Sequence, residues 1–294
     1  SLSITTDKTI QNAWLALTAL TGLKQLKLED PPMDLIEKLP QLNQLHLVRT
    51  YAFTDNLHTF TALTALQDLK ITFADQEDYS GLLPSIPNPS LLTKLVINGS
   101  IMNDFASIER FYNMKQLVLD YWSMTNEDQV VPLKFSALES LTINGTHVSV
   151  EDITMNTMLT HLTLGSIVGG TFEHFNRLSK LQTLELRSIT TGTATTDEDL
   201  SFLTNLTSLQ YLDHSFVTTE TTGKFSAYLS TNITKLTYST DSLADVQWTR
   251  LENLEELQIN MGSRDENDDL LNLLNLSKLS KSSFSSRDPM KTMT

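Results

Sequence analysis

The sequence predicts an α/β solenoid, in which short parallel strands stack as rungs on one side and short α or 3-10 segments line the other. Three observations predict it. An apolar phrase of the form Leu-x-x-Leu-x-Leu recurs about every 23 residues along the chain of 294 residues. Within each copy the last two apolar residues are one residue apart, the period of a strand with one buried face. Between copies, apolar residues return at intervals of three and four, as on a short helix. A solenoid lengthens by adding units, so chain length alone implies no domain break.

Taken in order, Leu2 and Ile4 form a strand one repeat before Leu26. The next rung is Leu23-Lys24-Gln25-Leu26-Lys27-Leu28, with Leu26 and Leu28 inward and Gln25, Lys27 and Glu29 outward. Further rungs follow at Leu42/Leu45/Leu47, Leu66/Leu69/Ile71, Leu92/Leu95/Ile97, Met114/Leu117/Leu119 and Leu138/Leu141/Ile143. They continue at Leu159/Leu162/Leu164, Leu181/Leu184/Leu186, Leu209/Leu212/His214, Ile233/Leu236/Tyr238 and Leu254/Leu257/Ile259, and Leu276/Leu279 is a weakened last copy. A single rung cannot cover its own apolar face, so each needs neighbours about 4.8 Å away. Between rungs, helical spacing appears at Ile108/Phe111/Tyr112, Phe172/Phe175/Leu178, Leu200/Leu203/Leu206 and Trp248/Leu251/Leu254. Ser149-Val150-Glu151-Asp152 and Thr196-Asp197-Glu198-Asp199 place a hydroxyl three residues before a carboxylate, a helix-start pattern. Helices are wider than strands, so an outer row of them bends the stack into a horseshoe.

This frame resembles the leucine-rich-repeat family over nearly the whole chain. The resemblance implies a solenoid with a concave parallel sheet and short α or 3-10 segments on the convex side, and a role in protein–protein recognition. Residues 1–281 are assigned to the solenoid, about twelve repeats plus a partial first one. Residues 282–294 are assigned to a tail or C-terminal cap. One departure is marked. The family usually carries Asn or Cys at the ninth position of the repeat, where its side chain forms a ladder to the backbone. Here that position holds Pro31, Thr50, Ala74, Ser100, Trp122, Thr146, Ile167, Ile189, Val217, Asp241 and Gly262. Irregular turns after the strands are expected, and no repeat subclass is assigned. Two long connections, 75–91 and 190–207, carry Pro or Gly that prevent a continuous helix, and are expected to bulge outward.

Composition narrows the function. A net charge of −14 disfavours nucleic acid and anionic membrane as partners. With no cysteine, disulfides, zinc thiolates and thiol catalysis are excluded. The longest apolar runs fall well short of the roughly 18–20 residues of a membrane span, so no membrane insertion is expected. The first residues lack a signal-peptide pattern and start inside a repeat unit, which reads as a fragment or processed product of a longer protein. A cytoplasmic setting fits the missing cysteines, and so does a cysteine-free cell-surface or secreted one. Five Asn-x-Ser/Thr sequons, at Asn98, Asn144, Asn205, Asn232 and Asn275, match the roughly four expected by chance and carry no information on secretion.

Chemistry finds no foothold. The six histidines are scattered, with no His-x-x-x-His pairing. Nucleophile-elbow, phosphate-loop and dinucleotide fingerprints are missing. The acidic runs Asp197-Glu198-Asp199 and Asp265-Glu266-Asn267-Asp268-Asp269 lack calcium-loop spacing and precede helical stretches, whose dipole they complement. No catalytic residue, cofactor or metal is assigned, and the chain is read as a non-enzyme.

What remains is a binding surface. The outward residue between the two strand leucines runs Lys27, His46, Lys70, Val96, Val118, Thr142, Thr163, Glu185, Asp213, Thr237, Gln258 and Ser280. Val48, Val96 and Val118 are expected to stand apolar on an open face. Aromatics gather past the strand ends of the first half, at Tyr51, Phe53, Phe73, Tyr79 and Tyr121, and aromatics are favoured interface anchors. The expected partner-binding patch is Lys27, His46, Val48, Tyr51, Phe53, Lys70, Phe73, Val96, Val118 and Tyr121, and the expected partner is another protein or another domain of a longer chain. Alternative settings are the substrate receptor of a ubiquitin ligase, a bacterial effector, or an internalin-like or protozoan surface adhesin.

Overall fold

Each pair of apolar residues separated by one residue forms one strand, and consecutive strands pair in parallel. The computed structural model describes residues 2–4, 17–49, 57–78, 82–101, 106–120, 135–144, 150–165, 167–168, 172–187, 189–190, 198–214, 224–240, 246–261 and 276–286. These belong to two units, Ser1–Thr146 and His147–Thr294.

The first unit holds β1 (Leu2–Ile4), β2 (Gln25–Glu29), β3 (Gln44–Arg49), β4 (Asp68–Asp78), β5 (Lys94–Ile101), β6 (Gln116–Asp120) and β7 (Ser140–Ile143). Each strand pairs in parallel with the next. The register aligns Leu26, Leu45, Leu69, Leu95, Leu117 and Leu141 in one column, and Leu28, Leu47, Ile71, Ile97, Leu119 and Ile143 in a second. None of these twelve is more than 3% exposed, so the two columns form a dry core. A slip of one residue would turn both columns to water, which is why the register is firmly set. On the outer side lie the helices Met33–Ile36 and Ala106–Glu109 and the 3-10 turns Leu57–Ala62 and Leu83–Ser85. The connection 75–91 does not simply bulge. Its start extends β4, and Leu82, Leu83 and Ile86 are buried to 1% exposure or less.

The second unit contains β8 (His161–Leu164), β9 (Ile167–Val168), β10 (Thr183–Leu186), β11 (Ile189–Thr190), β12 (Tyr211–His214), β13 (Lys235–Thr240), β14 (Glu256–Met261) and β15 (Lys281–Ser286). Strands β8, β10, β12, β13, β14 and β15 form the parallel ladder. Strands β9 and β11 form a second, two-stranded one, pairing Ile167 with Ile189. Both isoleucines occupy the ninth repeat position, so a backbone ladder runs where an Asn side chain was missing. The outer side carries the helix Val150–Thr154 and the 3-10 turns Phe172–Arg177, Glu198–Asn205, Lys224–Tyr228 and Trp248–Arg250. Phe172, Phe175 and Phe202 stack between adjacent turns, with ring centroids 5.1 to 6.2 Å apart. Of the acidic run before Leu200, Glu198 opens its 3-10 turn. The run at 265–269 and the hydroxyls Ser149 and Thr196 lie outside the described residues.

A turn just before most of the ladder strands recurs in both units. The N–H of the first leucine donates to the carbonyl three residues earlier, as in Leu42 to Leu39, Leu181 to Leu178 and Leu254 to Leu251. At Leu159 the position three residues back is Asn156, which is 1% exposed. Its amide is satisfied by the carbonyls of Ile153 and Asp152, at 2.8 and 3.3 Å.

The same turn corrects the reading of the C-terminus. Leu279 donates to Leu276, and the amides of Ser280 and Lys281 both donate to Glu255, just as Glu255 and Glu256 donate to Thr234. Leu279 is therefore the first leucine of the last repeat, and β15 brings Ser282 and Phe284 opposite Leu257 and Ile259. The ladder runs past residue 281 through Ser286, across the boundary drawn from sequence. Serine at a leucine position hid this rung, while Leu276-x-x-Leu279 repeats the pre-strand phrase Leu251-x-x-Leu254. Ser280 accordingly precedes the strand and does not stand in the row with Gln258, which pairs with Ser283.

Candidate recognition surface on the strands

The outward face of the first unit has three rows, set by the pleat. The middle row runs Lys27, His46, Lys70, Val96, Val118 and Thr142 on consecutive rungs. The row toward the strand starts holds Gln25, Gln44, Asp68, Lys94, Gln116 and Ser140. Toward the strand ends lie Glu29, Val48, Thr72, Asn98 and Asp120. Lys27, His46, Val48, Lys70 and Val118 are half-buried. Val96 is corrected from the expected open position, since it is only 8% exposed. It sits in register between Lys70 and Val118, and long lysine stems cover apolar neighbours. Phe73 is likewise buried at 8%, which removes it from an exposed rim. Tyr51, Phe53 and Tyr121 lie outside the described residues.

The electrostatics of the middle row are unusual for an acidic chain. Lys27, His46 and Lys70 are direct neighbours, three cation-forming side chains in a line. Burial of the imidazole, reinforced by Lys70 and Lys27, pulls the His46 pKa down to about 4. His46 is therefore neutral at pH 7, and its Nε2 is buried without a hydrogen-bond partner. Burial raises the Asp68 pKa, and Lys94 and Lys70 oppose that shift. At the strand ends Asn144 donates from Nδ2 to Asp120 Oδ1 at 2.9 Å.

The face of the second unit is built differently. Its middle row is Thr163, Glu185, Asp213, Thr237 and Gln258. Alongside, Tyr211, Lys235, Glu256 and Lys281 alternate in register. Lys235 stacks on the Tyr211 ring at 4.6 Å and pairs with Glu256 at 3.6 Å, and Lys281 pairs with the same carboxylate. Arg187 pairs with Glu185 at 3.3 Å. Burial and the carboxylates of Asp213 and Glu185 push the Tyr211 phenol up to about 12.

Sequence reasoning missed a second ladder. Side chains immediately before the first leucine reach back to the preceding repeat. Asn113, Asn232 and Asn253 donate from Nδ2 to the carbonyls of Ser90, Thr207 and Thr231 at 2.8 to 2.9 Å. Two residues further on, Thr93, Thr234 and Ser280 hydroxyls donate to the carbonyls of Gln67, Gln210 and Glu255 at 3.1 to 3.4 Å. The Asn ladder is displaced from the end of the strand to its start, and the signal was the Asn at one fixed offset in three repeats. No group of three or more His, Asp or Glu that could hold a metal ion occurs among the described residues. No described helix is long and apolar enough to cross a membrane.

No protein-family model and no curated protein sequence matches the chain. Solved structures do. A plant peptide hormone receptor, RGFR1, in complex with RGF2, is similar at 14% identity and TM-score 0.52, over 99% of this chain and 52% of the receptor. A leucine-rich-repeat protein of Leptospira interrogans is similar at 15% identity and TM-score 0.56, over 92% of this chain and 74% of that one. A TDR receptor is similar at 14% identity and TM-score 0.52, over 96% and 59%. The chain spans about half the length of the plant receptor. At such identities the likeness is one of fold, and the fold is the leucine-rich-repeat solenoid with irregular repeats.

Proposed function

We propose that the protein is a non-catalytic recognition scaffold that binds another protein through the strand face of its first unit. The carrying observation is the in-register row Lys27, His46, Lys70, Val96 and Val118, in which Lys27, His46, Lys70 and Val118 present side chains of differing chemistry, with Val96 covered between them. A rigid backbone ladder beneath them makes binding cheap in conformational entropy, because little has to be ordered on contact. Val48 extends the patch toward the strand ends, and the sequence adds Tyr51, Phe53 and Tyr121 as candidates. Phe73, being buried, is left out of the contact surface. The similar plant receptor, described in complex with RGF2, shows a scaffold of this fold with a bound partner.

The test is affinity capture with the wild-type chain and with Val118→Asp, identified by mass spectrometry. Proteins recovered by the wild type and lost from the variant are the expected result. Val118 points away from the core, so the variant should keep the wild-type unfolding temperature. Identical recovery by both proteins would remove the strand face of this unit as the binding site.

A further inference from the structure

We infer that this strand face takes an acidic protein segment, laid across β2 to β6, with a carboxylate between Lys27 and Lys70 and an apolar side chain three or four residues on against Val118. The inference rests on the recognition role proposed above and adds the chemistry of the partner.

Its ground is a difference in how charge is settled on the two faces. In the second unit Arg187, Lys235 and Lys281 each meet a carboxylate. In the first unit Lys27 and Lys70 flank His46, and neither forms an ion pair among the described residues. A carboxylate over His46 would lie one rung from each, about 5 Å along the stack, within reach of both side chains. His46, neutral at pH 7, adds no third positive charge and acts as the floor of the site.

Position is set by the flanking rows. Asp68 lies on the strand-start side, and Glu29 and Asp120 on the strand-end side. Lys94 beside Asp68 offsets the charge of the strand-start flank, the strand-end flank repels an acidic side chain, and the two lysines about His46 draw it to the middle row. Val118 lies three rungs beyond His46, roughly 14 Å, a distance an extended chain covers in about four residues at about 3.3 Å each, or three with the reach of its side chains. A polyanionic nucleic acid fits less well. It would meet the flanking carboxylates and the net charge of −14 with Lys27, Lys70 and Lys94 in its favour.

The experiment pans a displayed library of random linear peptides on the full chain and on the Lys27→Glu/Lys70→Glu variant. Peptides with Asp or Glu three or four residues from an apolar residue should be enriched by the wild type. Their affinity should fall at least about tenfold on the variant, which should enrich Lys- or Arg-bearing peptides instead. Should charge reversal impair folding, seen as a lowered unfolding temperature, Lys27→Gln/Lys70→Gln carries the same comparison. Enriched peptides that lack acids yet depend on Val118 would overturn the acidic partner and leave the recognition face standing. Equal displacement of every peptide by poly(U) RNA would overturn it in favour of a nucleic acid. Absence of enrichment, or peptides indifferent to the lysine variants and to Val118→Asp alike, would overturn the recognition face as well.

Discussion

Gly99 shows how one residue lets two unequal strands keep their pairing. Asn98 pairs with Thr72 and Ser100 with Glu77, so Gly99 alone spans the interval that 73–76 fills on β4. It does so with φ at +77°, where a Cβ would lie 2.6 Å from the Phe73 carbonyl oxygen. Gly99→Ala should therefore lower stability by about 1–3 kcal/mol, measured by urea unfolding. An unchanged midpoint would mean the bulge relaxes freely. His46 gives a second residue-scale prediction. It titrates at 6.5 in an unfolded chain and at about 4 in the fold. Above pH 6.5 both states are neutral and His46 adds no pH dependence. As pH falls from 6.5 toward 4 the unfolded chain binds a proton that the fold refuses, so stability drops across that window and levels off below it. His46→Gln should lose less stability than wild type between pH 7 and 4.5 in urea titrations. Equal losses would show that burial and the neighbouring lysines do not hold the imidazole neutral. The position of His46 on the row was legible in the sequence, whereas its depressed pKa was not, because that depends on burial and on neighbours a whole repeat away.

At the scale of the element, the strands were legible because each must bury two apolar residues one apart, and few substitutions satisfy that. The exceptions obey the same physics. Tyr238 is fully buried at a leucine position of β13, and Ser282 occupies one on β15 with no apolar signal at all. The turns were less legible, because their hydrogen bonds can be supplied by many residue types at several offsets. Asn113, Asn232 and Asn253 supply them from before the strand, where the resemblance to the family placed no expectation. Asn232→Ala and Asn253→Ala should each cost about 0.5–1.5 kcal/mol, the usual worth of one such bond. Replacing Thr142, on the open face of β7, by Ala should change little, and a comparison of denaturant midpoints separates the two cases. Of the expected patch, Lys27, His46, Lys70, Val96 and Val118 share one row in register, and Val96 and Phe73 are covered. Alternation says which way a side chain points but not how tall its neighbours are.

At the scale of each unit, the described strands gain stability between neighbouring rungs. Within the first unit each described strand pairs only with the strand before and after it. In such a stack the free energy is approximately a sum of nearest-neighbour terms, so damage should stay local. Leu69 on β4 is fully buried, and Leu69→Ala should cost about 2–5 kcal/mol through the cavity it leaves. The loss should appear in hydrogen exchange as a gradient. Amides of β3, β4 and β5 should lose most protection, while those of β2 and β6, each two rungs away, should lose less. Circular dichroism and the unfolding temperature of the same sample report whether the unit has melted outright, in which case Leu69→Val, a smaller truncation, gives the same comparison. Uniform loss of protection from β2 to β6 under conditions where the unit remains folded would show that it opens as one cooperative body. A gradient instead means that binding across β2 to β6 is felt by each rung chiefly through its immediate neighbours, so a segment held by Lys27 and Lys70 would rigidify β2 to β4 first.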